Sequence, residues 1–358
     1  MFKKNNNHFE IKLSTHAVRI TLCLISILLA VPTGGCMVNP VTLEQQFNVV
    51  SEEREINIGR SAHPQIVKQL GYYHNQPLQN YVNRVGQKLV SVCKRRDIDY
   101  TFTVLDSDMV NAFAVPGGYV YLTRGLLAML NNEAEMAGVL AHEIGHVVGR
   151  DSAAMMSQQL LSQFAMLAGA AGAASGGSGD MAAASMQLSQ AILLGFSREC
   201  EYRADEQSVE YLFETGYDSI RAKDFMRTLS QLGQGPSGPR QYTMTHPFIF
   251  DRIDRIIAHS KVQHAMHDTM EQLSGTPEEA EPGFVGVDVY LSYIDGLAYG
   301  PKDDMHRLKL YTVRRGDTFS QIARRTLGNA HRAKELALIN GMPENAPLVP
   351  CATIKIIH

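Results

Sequence analysis

The sequence predicts an α+β chain: a mostly helical domain carrying a small β-sheet, followed by a small βααβ module. Three observations predict it. "EMAGVLAHEIGHVVGRD" (135–151) and "FSRECEYRADEQSVEYLFETG" (196–216) read as helices. "NAFAVPGGYVYLTRGLL" (111–127) reads as strand, Pro-Gly-Gly turn, strand and helix start. From "LKLYTVRRGDTFSQIARR" (308–325) the pattern changes to strand, turn, two short helices and the closing strand "ATIKII". A length of 358 residues suits two domains plus processing segments. With 45% hydrophobic and 19% charged residues, the chain has ample material for a core. A net charge of −3 points away from nucleic acid.

Residues 1–35 read as a signal segment outside the fold. Lys3, Lys4, Lys12 and Arg19 precede the apolar run "ITLCLISILLAV", which is too short to cross a bilayer as a stop-transfer helix. The run ends at "PTGGC", where small residues before Cys36 resemble a bacterial lipobox, with Thr33 at the position usually held by an aliphatic residue. The alternatives are lipidation at Cys36 or an ordinary signal peptide with an incidental cysteine. Met37 after the cysteine resembles lipoproteins sent to the outer membrane.

Residues 42–95 read as helical, with apolar residues three and four apart. "YTFTVLDS" alternates as a strand does. Asn132 can cap the helix that follows, with Glu135 at capping-box spacing and Leu140, Ile144 and Val147 as an apolar stripe. Residues 153–195, rich in Ala, Met and Gln and broken by "GAASGGSGD", read as two helical arms around a flexible tip, either packed on the core or lying over the site. The expected boundaries are 36–275 for the first domain, 276–308 for a linker and tail, and 309–358 for the second module. Cys93, Cys200 and Cys351 are three in number, so no full disulfide framework is implied, though one bridge is possible.

On a helix, residues i and i+4 share a face, so His142 and His146 can direct both imidazoles at one ion, and Glu143 can reach a water beside it. This is the HExxH arrangement of zinc hydrolases. A catalytic zinc needs three protein ligands and an open position. Glu201 and Asp205 on the downstream helix offer the third ligand and a second carboxylate that can accept the other N–H of a ligand histidine. Two carboxylates four apart repel, so each needs a positive partner. The plainer alternative is that Arg198 and Arg203 neutralise a solvated acidic face.

"HEIGH" followed by "SRECEYRAD" resembles the HtpX/BepA-type metallopeptidases, gluzincins whose group includes the type I CAAX prenyl proteases. The resemblance covers about residues 40–265, with no transmembrane helices flanking the domain as in its integral-membrane relatives, and implies one Zn2+ held by His142, His146 and Glu201. The segment at Asn111, Ala112, Phe113 and Ala114 resembles the family's NAFA-x-PGG strand, implying an edge along which a substrate backbone can pair. "THPFIFDRI" resembles the HP-x-x-x-x-R motif, implying His246 and Arg252 near the site. Either could steady an oxyanion; His246 could instead fill the open metal position and hold the enzyme latent, or be structural. Residues 310–357 resemble a LysM domain, which implies binding to N-acetylglucosamine-containing glycans such as peptidoglycan. Cys351 stands where that family commonly has glycine, so a positive-φ turn there would be strained.

These expectations converge on a zinc endopeptidase of the Gram-negative periplasm, lipid-anchored to the outer membrane, acting on unfolded or misassembled envelope proteins. Two other readings are cleavage of peptidoglycan cross-links, and a chaperone-like binding protein with an occluded metal site.

Overall fold

The computed structural model describes residues 36–43, 45–159, 196–232, 240–247, 249–274 and 283–358. The antiparallel pair β1 (Cys36–Val38) and β2 (Gln45–Phe47) leads into α1 (Glu52–Leu70) and α2 (Gln76–Val90). Then come β3 (Thr101–Leu105), β4 (Ala112–Val115), β5 (Tyr119–Thr123), α3 (Arg124–Met129) and α4 (Glu133–Gly149). Residues 151–159 are helical. After them follow α5 (Arg198–Glu214), α6 (Ala222–Leu232), α7 (Arg240–Thr245) and α8 (Ile249–Ser274). The C-terminal part holds α9 (Val287–Ile294), β6 (Ala298–Tyr299), β7 (His306–Thr312), α10 (Phe319–Leu327), α11 (Ala333–Ile339) and β8 (Thr353–Ile357). The chain is thus mostly helical with small sheets. The signal segment and residues 160–195 of the expected helical arms lie outside the described residues.

The central sheet has the order β3-β5-β4, with β3 parallel and β4 antiparallel to β5. The strand expected at "YTFTVLDS" is present, but it is buried from Phe102 to Leu105 rather than on alternate residues. The reason is that helices cover both faces. Ile58 and Ala62 of α1 pack with Phe113 and Tyr121, while Val82 of α2 and Leu140 and Ile144 of α4 join the cluster holding Val104, Ala112 and Val120. Full burial of an aliphatic side chain such as Leu140 or Ile144 contributes about 1.5–3 kcal/mol. The turn between β4 and β5 places Gly117 and Gly118 at φ of 80° and 87°, a conformation costly for any side chain.

α4 starts as its sequence requires. The Asn132 side chain accepts from the Glu135 N–H at 2.8 Å, and the Glu135 carboxylate returns to the Asn131 N–H at 2.9 Å, one residue earlier than in a capping box. Unlike the single apolar stripe of the sequence reading, α4 is buried on every side. At its C-terminal end Arg150 turns the chain into the left-handed region and bonds Glu55 and the Val50 carbonyl.

The 276–308 stretch, expected as a linker and tail, is more than a connection over its described part, which begins at 283. Tyr290, Leu291 and Ile294 of α9 are buried in the main core, and β6 extends the C-terminal β7–β8 pair to three strands. An amphipathic helix buries its apolar face against whatever core is nearest, here α2 and α4. The βααβ order expected for the C-terminal residues is observed, and Phe319, Ile322 and Leu336 belong to the same cluster as α4. Cys351 does adopt positive φ, at 70°, which costs about 1–2 kcal/mol for a residue other than glycine. Cys93, Cys200 and Cys351 are all free thiols.

Candidate metal centre

α4 and α5 cross closely because Gly145 has no side chain; a Cβ there would lie 3.0 Å from Ala204 Cα. That approach brings Glu201 of α5 against the histidine face of α4. His142 Nε2 lies 3.4 Å from Glu201 Oε2 and His146 Nε2 lies 3.6 Å from Oε1. A third imidazole joins them. His246 follows the last turn of α7 and precedes Pro247, whose ring disfavours helical geometry in the residue before it. The chain therefore leaves the helix at His246, and its ring enters the site, with Nδ1 3.2 Å from Glu201 Oε1 and 3.3 Å from His142 Nε2. Donor atoms of His142, His146, Glu201 and His246 all lie within 4.8 Å of one another, and all four residues are buried.

The residues present fit a metal ion on electrostatic grounds. His142 directs Nδ1 at Asp205 (3.0 Å) and His146 directs Nδ1 at Asp151 (2.8 Å). With Nδ1 carrying the proton toward each carboxylate, both neutral rings turn Nε2 lone pairs to the same point, 3.1 Å apart. Two lone pairs at that distance repel unless a cation or proton lies between them. Glu143 is wholly buried with neither carboxylate oxygen hydrogen-bonded, and His246 Nε2 is likewise without a hydrogen-bond partner. Unpaired polar atoms in a dry site are costly and mark a place built for something else. Two or three imidazoles and a carboxylate make a donor set suited to zinc.

Charge around the site is balanced by Arg252, which is fully buried near the start of α8. Its Nε and Nη2 donate to Asp205 at 2.8 and 2.7 Å, and Nη1 lies 2.5 Å from Glu201 Oε2 without a hydrogen-bonding angle. The positive partner that the Glu201–Asp205 pair needs is therefore Arg252. Arg198 instead reaches Asp251 at the surface, and Arg203 pairs with Asp151. Burial pushes the Glu201 carboxyl up, but Arg252 and His246 outweigh it and hold it well below the usual range. Burial and the Arg252 charge oppose protonation of His142, yet hydrogen bonds to Asp205 and Glu201 prevail and raise its pKa to about 9. Burial keeps His146 below its ordinary value. A metal at this point would displace the proton on His142.

His142, Glu143, His146, Glu201, Asp205, His246 and Arg252, each expected near the site, lie together here; Cys36 and Asn111 to Ala114 are not among them. Arg252, expected near the site, hydrogen-bonds Asp205 through Nε and Nη2 and sets Nη1 against Glu201 Oε2. Asp151 was not expected at all. It lies one residue beyond the left-handed turn at Arg150, which folds the chain back onto His146. An acidic residue just past the end of a metal-binding helix is a signal the sequence did contain. Phe196 stacks on His146 with centroids 4.0 Å apart and supports the ring from its other side.

The expected substrate strand, β4, is an edge of its sheet. The Thr123 N–H bonds to the Asn111 carbonyl, so Asn111 and Phe113 direct their backbone groups at β5 while Ala112 and Ala114 direct theirs away from it.

Residues 76–260 match the sequence profile of peptidase family M48. The chain is similar to the beta-barrel assembly-enhancing protease of Escherichia coli K12, 31% identical over 191 residues, which cover 50% of this chain and 38% of that protein. It is similar to the mitochondrial metalloendopeptidase OMA1 of Schizosaccharomyces pombe, 30% identical over 224 residues covering 61% of this chain and 64% of that one. It also resembles a protease HtpX homolog of Aeropyrum pernix, 36% identical over 126 residues, 29% of this chain and 39% of the relative. The match to the assembly-enhancing proteases thus spans less than two-fifths of their length.

Proposed function

The chain belongs to peptidase family M48, and from that premise we propose that it is a zinc-dependent endopeptidase of the bacterial envelope, cleaving unfolded or misassembled envelope proteins. The observation that carries this is the convergence of His142, His146 and Glu201 donors beside the Glu143 carboxylate, neither oxygen of which is hydrogen-bonded. Zinc, when bound, supplies a Lewis acid that acidifies a neighbouring water and polarises a carbonyl. His142, His146 and Glu201 would hold it. Asp205 and Asp151 fix the tautomers of the two histidines, and Arg252 keeps Glu201 and Asp205 ionised side by side. Glu143 takes a proton from the attacking water and hands it to the leaving amine; its buried oxygens have no competing donor except His246 Nε2, 3.4 Å away. An extended substrate adds a strand beside β4, bonding the outward-facing backbone groups of Ala112 and Ala114, which alternate with Asn111 and Phe113.

The lipobox-like segment ending at Cys36 and the 309–358 module support a reading of how the enzyme is anchored. Cys36 carries lipid that holds the enzyme at the periplasmic face of the outer membrane, and the 309–358 module, read as LysM, binds peptidoglycan. A groove of about 590 Å³ lined by Tyr311, Arg314, Arg315 and Pro350 supports glycan binding, since it offers an aromatic face and cationic donors. Among the described residues no helix is long and apolar enough to cross a membrane.

Unfolded casein is expected to be cut by the zinc-loaded protein, while purified peptidoglycan sacculi release no peptides. Peptide release from sacculi with casein left whole would transfer the assignment to cross-link cleavage.

One observation favours a second, latent state. His246 lies within the ligand cluster, close enough to occupy the position a water needs. His246→Ala is then expected to raise casein cleavage about tenfold, the factor that 1.4 kcal/mol gives in an occluding equilibrium. An unchanged or lower rate in that variant would rule latency out.

A further inference from the structure

The C-terminal residues complete the helix that carries the histidines. A helix leaves its first N–H groups without partners inside itself. At α4 the Glu133 N–H donates to the Gly286 carbonyl (3.2 Å) and the Ala134 N–H to the Val285 carbonyl (3.0 Å). Gly286 permits this approach: a Cβ on it would lie 2.9 Å from Glu133 Cβ. The short helix α3, just upstream, leaves carbonyls at its end. Leu127 O accepts the Tyr290 hydroxyl at 2.5 Å. Ala128 O and Leu130 O both accept Lys355 Nζ, at 2.8 and 2.6 Å.

Lys355 is an expensive residue for this place. It is fully buried in β8, and among the described residues no carboxylate lies within ion-pair distance of it. Burial pushes its ammonium pKa down against the pull of Glu135, whose own carboxyl burial pushes up. A methionine would fill the same volume without a desolvation cost. What only the lysine supplies is a pair of donors to the end of α3 and the loop joining it to α4. Its own position is fixed by Asn340, whose side chain accepts from the Lys355 N–H (2.8 Å) and donates to its carbonyl (2.9 Å). Asn340 belongs to the Asn-Gly pair at 340–341, and a Cβ on Gly341 would lie 3.1 Å from Asn131 Nδ2 in that same loop.

We infer that the C-terminal module is a working part of the peptidase, with Lys355 a positioning residue that holds the loop entering the histidine-bearing helix. These contacts lie beyond residues 76–260, the span shared with family M48. The inference rests on α4 being the catalytic helix. It differs from a tether, which would leave the chemistry unchanged when released, and from a stabilising pad, which would change only the melting temperature.

The test uses the full chain, with kcat and KM for a fluorogenic peptide read well below the melting temperature, and amide exchange read at residues 130–135. Lys355→Met is expected to lower kcat about tenfold or more with KM within twofold, because small misplacements of reacting groups cost rate steeply. Exchange at residues 130–135 is expected to rise about tenfold as the loop opens locally. Asn340→Ala, which removes both bonds that fix the Lys355 backbone, is expected to move both readouts the same way by less, and it carries the test alone if Lys355→Met does not fold. Wild-type kcat and exchange in the variants, with only a lower melting temperature, overturn the inference. If the parent protein cleaves no peptide, the proposed activity fails, and exchange still decides the clamp.

Discussion

Glu143→Gln is expected to lower peptide hydrolysis by about 10²–10⁴-fold, the usual span for loss of a general base, while metal content and fold are retained. Glutamine has the same shape as glutamate but cannot take the proton. Neither oxygen of Glu143 is hydrogen-bonded, so the substitution breaks no such bond in the folded protein. It also removes a buried negative charge, which leaves stability unchanged or slightly higher. The measurement is steady-state cleavage of casein beside zinc content and thermal unfolding of the same preparation. Capture of unfolded protein by the variant without cleavage would agree with a peptidase whose base is gone. Hydrolysis at the parent rate would remove Glu143 from the mechanism, and equal behaviour of parent and variant in binding with no hydrolysis in either would favour the chaperone-like reading.

Removal of the metal is expected to abolish hydrolysis without unfolding the protein. In small zinc domains the ion is the core, and chelation denatures them. Here the site is held by other means. Arg252 neutralises Glu201 and Asp205, Asp205 and Asp151 orient the two rings, and the Gly145–Ala204 contact fixes the helix crossing. A chelated sample should therefore keep its helical signal, lose casein cleavage, and recover it with one equivalent of zinc. Saturating zinc should raise the unfolding free energy by about 4 kcal/mol at a thousandfold excess over Kd. Full activity after exhaustive chelation would end the metallopeptidase assignment.

How far the site could be read from the chain differs residue by residue. His142, Glu143 and His146 were legible because helical geometry maps a spacing of four onto one face. Glu201 and Asp205 were legible as a spaced pair needing a cation, but not the identity of that cation. Arg198 and Arg203 are nearer in sequence, yet Arg252, 47 residues beyond Asp205, forms the pair. The motif puts His246 near the site, and its entry among the ligands depends on α7 ending at Thr245, ahead of Pro247. Asp151 reaches His146 only through the left-handed turn at Arg150, which residue spacing alone does not dictate.

By itself the sequence determined the helical period, the Asn132 cap, the turn at Gly117 and Gly118, and the two histidines one turn apart. These follow from interactions between residues a few positions apart, which any chain with this order of side chains must satisfy. The tertiary structure alone decided which arginine balances Glu201, that His246 faces Glu143, and that Lys355 and residues 285–290 close the ends of α3 and α4. Those contacts join groups from about 50 to more than 220 residues apart, and their partners are chosen by which buried donor or acceptor would otherwise go unpaired once the helices pack.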